Sequence, residues 1–110
     1  MISIKGNHIS ITKGDTGGIV FPFKQKCKAF NLNGWTVRFI VKQKGQPDSS
    51  AIMDFEQEID QDIDTIAFAL TTENTDQTPK DYDWALRITK DEDVQTVAEG
   101  IFSITQGVYQ

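Results

Sequence analysis

The chain has 110 residues, a hydrophobic fraction of 38%, a charged fraction of 25% and a formal net charge of -5. Those figures describe an ordinary globular composition in one domain of a size that supports its own core. They argue against duplex nucleic acid as a primary partner, since phosphate binding needs clustered lysine and arginine. The lone Cys27 rules out an intrachain disulfide, and with only His8 beside it there is no ligand set for structural zinc.

The N-terminal stretch 1–14 has no apolar core of the kind a signal peptide carries, so synthesis in a cytoplasm without a signal peptide is expected. No run approaches the ~18 apolar residues of a membrane span, and a membrane partner is not expected. Ile2 and Ile4, then Ile9 and Ile11, alternate with polar residues and predict two short strands or one bent strand interrupted at Gly6-Asn7. The glycine-rich stretch Gly14–Gly18 is a turn. It lacks the spacing of a phosphate loop.

In Ile19–Cys27, Phe21 and Phe23 share a face, and Pro22 marks an edge strand or a bulge. Lys24, Lys26 and Lys28 then alternate along the presumed strand. They read as a solvated edge and as a candidate docking face for an acidic partner. Asn33-Gly34 predicts a turn into a strand whose inner face carries Trp35, Val37, Phe39 and Val41. Lys44–Ser50 is a loop by composition.

Ala51–Asp64 places carboxylates at every even position from Asp54, with Met53, Phe55, Ile59 and Ile63 at odd ones. This predicts strand structure with an acidic outer face, bent near Glu58, on which Asp60, Asp62 and Asp64 form a candidate partner surface facing the lysines. The same three aspartates match the start of a calcium loop but lack its glycine and closing glutamate, so no metal or other cofactor is assigned. Thr65–Leu70 is a strand with Ile66, Phe68 and Leu70 inward, and Thr71–Pro79 fits one helical turn or an irregular crossover.

The last third carries the strongest pattern. Tyr82, Trp84, Leu86 and Ile88 share one parity in Pro79–Thr89, and Val94, Thr96, Ala98, Gly100, Phe102 and Ile104 share one in Val94–Thr105. The polar turn Lys90–Asp93 makes them a hairpin, with Trp84 facing Ala98 or Gly100. Residues 106–110 are a tail. Seven or eight short strands with turns at roughly ten-residue intervals predict an all-β antiparallel sandwich.

No catalytic set is visible. His8 has no serine or cysteine beside it in a recognisable nucleophile setting, and the acidic segment lacks the aromatic neighbours of a sugar-cleaving site. Sandwiches also bind sugars through exposed tryptophans, but Trp35 and Trp84 alternate with core residues and are expected inside.

Several features together resemble a known family. Lys13–Thr16 reads Lys-Gly-Asp-Thr ahead of Phe21 and Phe23. Asn31, Leu32, Gly34, Thr36, Val37 and Phe39 follow, then Leu70-Thr71, Pro79 with Tyr82, and Glu99-Gly100 with Phe102 and Ile104. The order is similar to that of the immunoglobulin-like sandwich domains of tailed-bacteriophage virion proteins, notably the N-terminal domain of baseplate upper proteins. Lys80-Asp81 departs from it, standing where a glycine usually precedes the tyrosine. The resemblance implies an immunoglobulin-like fold, no enzymatic activity, and a structural role in a phage tail or baseplate. It also implies other virion proteins and further copies of the chain as partners.

Overall fold

The computed structural model describes residues 3–5, 7–25 and 28–106. The strands are β1 (Ser3–Lys5), β2 (His8–Thr12), β3 (Gly17–Pro22), β4 (Lys24–Gln25), β5 (Lys28–Ala29), β6 (Thr36–Lys42), β7 (Met53–Glu58), β8 (Thr65–Leu70), β9 (Lys80–Lys90) and β10 (Asp93–Thr105). Seven of them have five residues or more. A 3-10 turn at Asp48–Ser50 lies between β6 and β7, and one helical turn, α1 (Thr72–Thr75), between β8 and β9. Thr71 and Asn74 cap that turn reciprocally, which is why so short a helix is defined.

A six-stranded sheet runs in the order β1-β2-β10-β9-β6-β7, with the pairs β3-β8 and β4-β5 apart from it. This is the predicted all-β sandwich. As in an immunoglobulin-like domain, the last strand lies beside the penultimate one and that one beside a middle strand, and an early strand pairs with a later one in the second layer. Tyr82, at the start of β9, donates its hydroxyl proton to the carbonyl of Thr78, 2.6 Å away. A tyrosine bonded to backbone a few residues upstream at this corner is characteristic of that fold. One pairing departs from the antiparallel expectation: β2 runs parallel to β10, from His8 beside Ile101 to Thr105 beside Thr12.

The core forms where the inward parities meet. Phe39 is fully buried, and its ring lies 5.5–6.4 Å from those of Phe21, Phe55, Phe68, Trp84 and Phe102. Ile66, Phe68 and Leu70 point inward as predicted, and so do Ile9 and Ile11. Trp84 is 4% exposed, whereas Trp35 is only half-buried. Trp35 precedes β6, so it sits at the end of the sandwich against Phe30, with the Lys90 ammonium 5.9 Å from its ring centre.

Gly100 faces Trp84, one of the two predicted registers, and the ring does not explain the glycine. The Asn7 backbone lies on it. Asn7 carbonyl oxygen accepts the Trp84 indole N–H at 2.9 Å and the Ile101 amide at 3.3 Å, and a Cβ on Gly100 would overlap that oxygen. The inner parity of β10 also fails beyond Ala98. A bulge at Val97 shifts the register, so Ala98 faces Leu86 but Gln95 faces Ile88, and Thr96 faces Arg87. Thr96 and Val94 therefore leave the inner face, and Val94 is 61% exposed.

Candidate functional site

Sequence reasoning set Lys24, Lys26 and Lys28 against Asp60, Asp62 and Asp64, and the structure breaks both rows. Lys24 and Lys28 lie on different strands of a two-residue ladder, Lys24 beside Ala29 and Lys28 beside Gln25, so they do not share one strand. Lys26 and Cys27 lie outside the described residues. Pro22 ends β3, and the chain turns back within six residues of it.

On the acidic side, β7 stops at Glu58. Asp54, Glu56 and Glu58 do form an exposed outer face, but Asp60, Asp62 and Asp64 lie in the connection to β8. This connection is held by backbone: Ile59 amide to Trp35 carbonyl, Gly34 amide to Ile59 carbonyl, and Leu32 amide to Ile63 carbonyl. Asp62 accepts the side-chain amides of Asn31 and Asn33 at 3.0 and 2.9 Å, and those bonds hold its carboxyl below the usual range. Asp64 accepts from Thr65 Oγ1, and its backbone carbonyl accepts the Phe23 amide. The Asp62 carboxylate thus ties the turn before β6 to the connection before β8. Among the described residues no group of three or more His, Cys, Asp or Glu is placed to hold a metal ion.

The strongest electrostatic feature was read in sequence only as a loop. Asp48 reaches over the outer face of the large sheet. It meets Arg87 Nη1 of β9 at 2.6 Å and Lys42 Nζ of β6 at 2.8 Å, with Arg38 Nη1 at 4.0 Å. Arg38 in turn forms a bidentate pair with Asp54 of β7, at 2.8 and 2.7 Å. Hydrogen bonds from Arg87 and then from Lys42 hold the Asp48 carboxyl well below the usual range. Ile40 is completely buried although it lies on the face opposite the core, between Arg38 and Lys42 along β6. The charged stems and the Asp48 turn account for that burial. Beside it a shallow groove of about 390 Å3 is lined by Asp83, Ala85, Arg87, Glu99 and Ile101. Its two nearest cations already hold Asp48.

His8, set aside in sequence, does find a serine through the parallel pairing. Its Nε2 lies 2.7 Å from Ser103 Oγ, which donates to Asp81 Oδ1 at 2.6 Å. Ser103 gives its single hydroxyl proton to Asp81, which leaves its oxygen to accept an N–H from the His8 ring. A nucleophilic relay needs the opposite arrangement, with the imidazole accepting from serine. This chain of bonds fastens β2 to β9 across β10.

The remaining feature is the flank of β10. Pairing with β2 covers only Ile101–Thr105, and among the described residues no strand pairs with the other edge of 93–100. Residues 91–97 are exposed throughout. Between this edge and β3 opens a groove of about 210 Å3, walled by Phe21, Phe23, Phe30, Leu86, Val97 and Ala98. Among the described residues the large apolar side chains left exposed are Val20, Val94, Val97 and Ile101, none of them aromatic. Two of the four lie on the uncovered edge. The bulge at Val97 had no signature in the alternation, which is why the sequence did not show this flank.

No protein-family model matches the chain, and no curated protein sequence is similar to it.

Proposed function

We propose that this domain is a non-enzymatic assembly module of a phage or prophage virion, in the tail or baseplate region, that works by protein–protein contact. The observation that carries the contact role is the flank of β10 that no described strand covers, where Val94 and Val97 are exposed and Val97 walls a groove shared with Phe21, Phe23 and Leu86. Sheet edges are ordinarily blunted by charge, bulges or cover; this one carries a bulge at Val97 and, with no described strand beside it, still exposes two valines. The virion setting rests on the resemblance of the motif order from Lys13 to Ile104.

The second reading, a carbohydrate-binding module for attachment to a host surface, would need an aromatic platform. Trp84 is buried, and Trp35 is engaged by Phe30 and Lys90. The observations favour the assembly role.

The test is direct localisation. An antibody raised against the domain should label tails or baseplates in particles purified from the strain that carries the gene. Particles that lack the chain, with the protein recovered only outside them, would remove the virion assignment.

A further inference from the structure

We infer that Asn33-Gly34 is a deamidation site that the native fold keeps shut and that local opening of the chain exposes, so that residue 33 marks molecules that have been unfolded. The reaction is intramolecular. The Gly34 backbone nitrogen, having lost its proton to base, attacks Asn33 Cγ. The new C–N bond closes a five-membered succinimide, and the carboxamide C–N bond breaks to release ammonia. Water then opens the ring at either carbonyl and leaves aspartate or isoaspartate, with one added negative charge. Gly34 has no side chain to crowd the approach, and this is the only asparagine in the chain that glycine follows. Asn31, in the same turn, precedes Leu32.

Asn33 is exposed, so water and base reach it, and the native turn holds the reacting groups apart. The Gly34 amide donates to the Ile59 carbonyl at 2.8 Å, which engages the proton that must leave. Asn33 Nδ2 donates to Asp62 Oδ1 at 2.9 Å, which fixes the carboxamide on a different segment. The Asn33 amide donates to Asn31 Oδ1, also at 2.9 Å, and Gly34 is set at φ 90°. Asp62 adds an electrostatic barrier. The Asn31 and Asn33 side-chain amides hold its carboxyl below the usual range, so it stays ionised and opposes the anion that forms on the Gly34 nitrogen. Reaction therefore waits until these bonds open together.

The product does not restore the turn. A carboxylate at position 33 faces Asp62 where the amide had donated, so a hydrogen bond becomes a like-charge contact. Isoaspartate also lengthens the backbone by one methylene beside the bonds from Trp35 to Leu32 and from Ile59 to Trp35. The end of the sandwich where Trp35 packs on Phe30 closes against both changes. The inference does not depend on the assembly reading.

The experiment ages the whole folded chain beside a synthetic peptide of residues 29–38, the tryptic fragment that follows Lys28 and ends at Arg38, in mildly alkaline buffer. Mass spectrometry of that fragment follows the mass gain at Asn33 and the isoaspartate formed. Conversion should be slower in the folded chain than in the peptide by about tenfold or more, because it awaits local opening. Asp62→Ala should speed conversion in the folded chain by about threefold or more, and Asp62→Asn, which keeps an acceptor but no charge, by less. Asp64→Ala should leave the rate unchanged, since the Asp64 carboxylate bonds Thr65 instead. Circular dichroism melts verify that each variant is folded, and in denaturant all chains should convert at the peptide's rate. Equal rates in the folded chain and the peptide would overturn the proposal. So would folded Asp62→Ala and Asp62→Asn chains that convert no faster than the native one, or a peptide that does not convert.

Discussion

The two halves of β10 are one continuous strand with opposite surroundings. Ile101–Thr105 lies between β2 and β9, with Phe102 and Ile104 in the core and Ser103 in the His8–Asp81 bonds. Among the described residues Asp93–Glu99 has β9 as its one strand neighbour, and the first five of these residues are exposed. The change falls within a few residues, at the Val97 bulge and at Gly100. The difference teaches that a sandwich can use the same strand as both a structural and an available edge, with backbone geometry setting the border.

The contrast predicts a steep gradient in mutational cost. Phe102→Ala should destabilise by about 3–5 kcal/mol, the range for deleting a fully buried aromatic, and Val94→Ala by less than about 0.5 kcal/mol. Chemical denaturation of both variants checks this, and equal losses would erase the distinction between the halves. Gly100→Ala tests the border itself. The new methyl must displace the Asn7 carbonyl, with overpacking and the loss of bonds to Trp84 and Ile101 costing about 3 kcal/mol together. Indole fluorescence should report the displaced Trp84 at the same time.

Much of this architecture was legible because period-two alternation is a strong signal where one face is buried. Ile66, Phe68 and Leu70, and Tyr82, Trp84, Leu86 and Ile88, all point inward as their spacing requires. The failures have physical causes. A bulge reverses parity without changing composition, which misplaced Val94 and Thr96. Asp60, Asp62 and Asp64 keep the spacing of a strand, yet the backbone bonds of Ile59 and Ile63 to the turn before β6 hold them in a loop. Asp48 sits in a polar segment whose sequence looks like any loop. Only the pairing of β6 with both β7 and β9 brings Arg38, Arg87 and Asp54 near it.

The charge network on the covered part of the sheet gives a smaller effect. Asp48→Asn should cost about 1 kcal/mol, since the group is partly exposed and such pairs are individually weak. Its folded pKa is depressed, so folding holds this carboxylate ionised. The stabilisation is fully present above the ordinary carboxylate value of about 4 and is lost as pH falls below it. Thermal melts between about pH 2 and 6 should therefore show a shallower acid decline in Asp48→Asn than in the native chain. An unchanged slope would assign the acid sensitivity elsewhere. The smallest effect belongs to the hairpin tip, where Asp91 adopts φ 54° at the first position of the two-residue turn. Asp91→Gly should stabilise by up to about 1 kcal/mol, with no change in the inner half of the sheet.

The parallel pairing of β2 with β10 has a consequence for how the protein is made. His8 meets Ile101 and Thr12 meets Thr105, so the neighbour that β2 needs leaves the ribosome roughly 90 residues after it. At about 5–20 residues per second the early strand waits roughly 5–20 s, with Ile9 and Ile11 lacking their final cover. Contacts this distant in sequence also slow folding, because the loop between them must close before any of them contributes. Closure of the large sheet is thus a late event, reserved for chains that have been synthesised as far as β10.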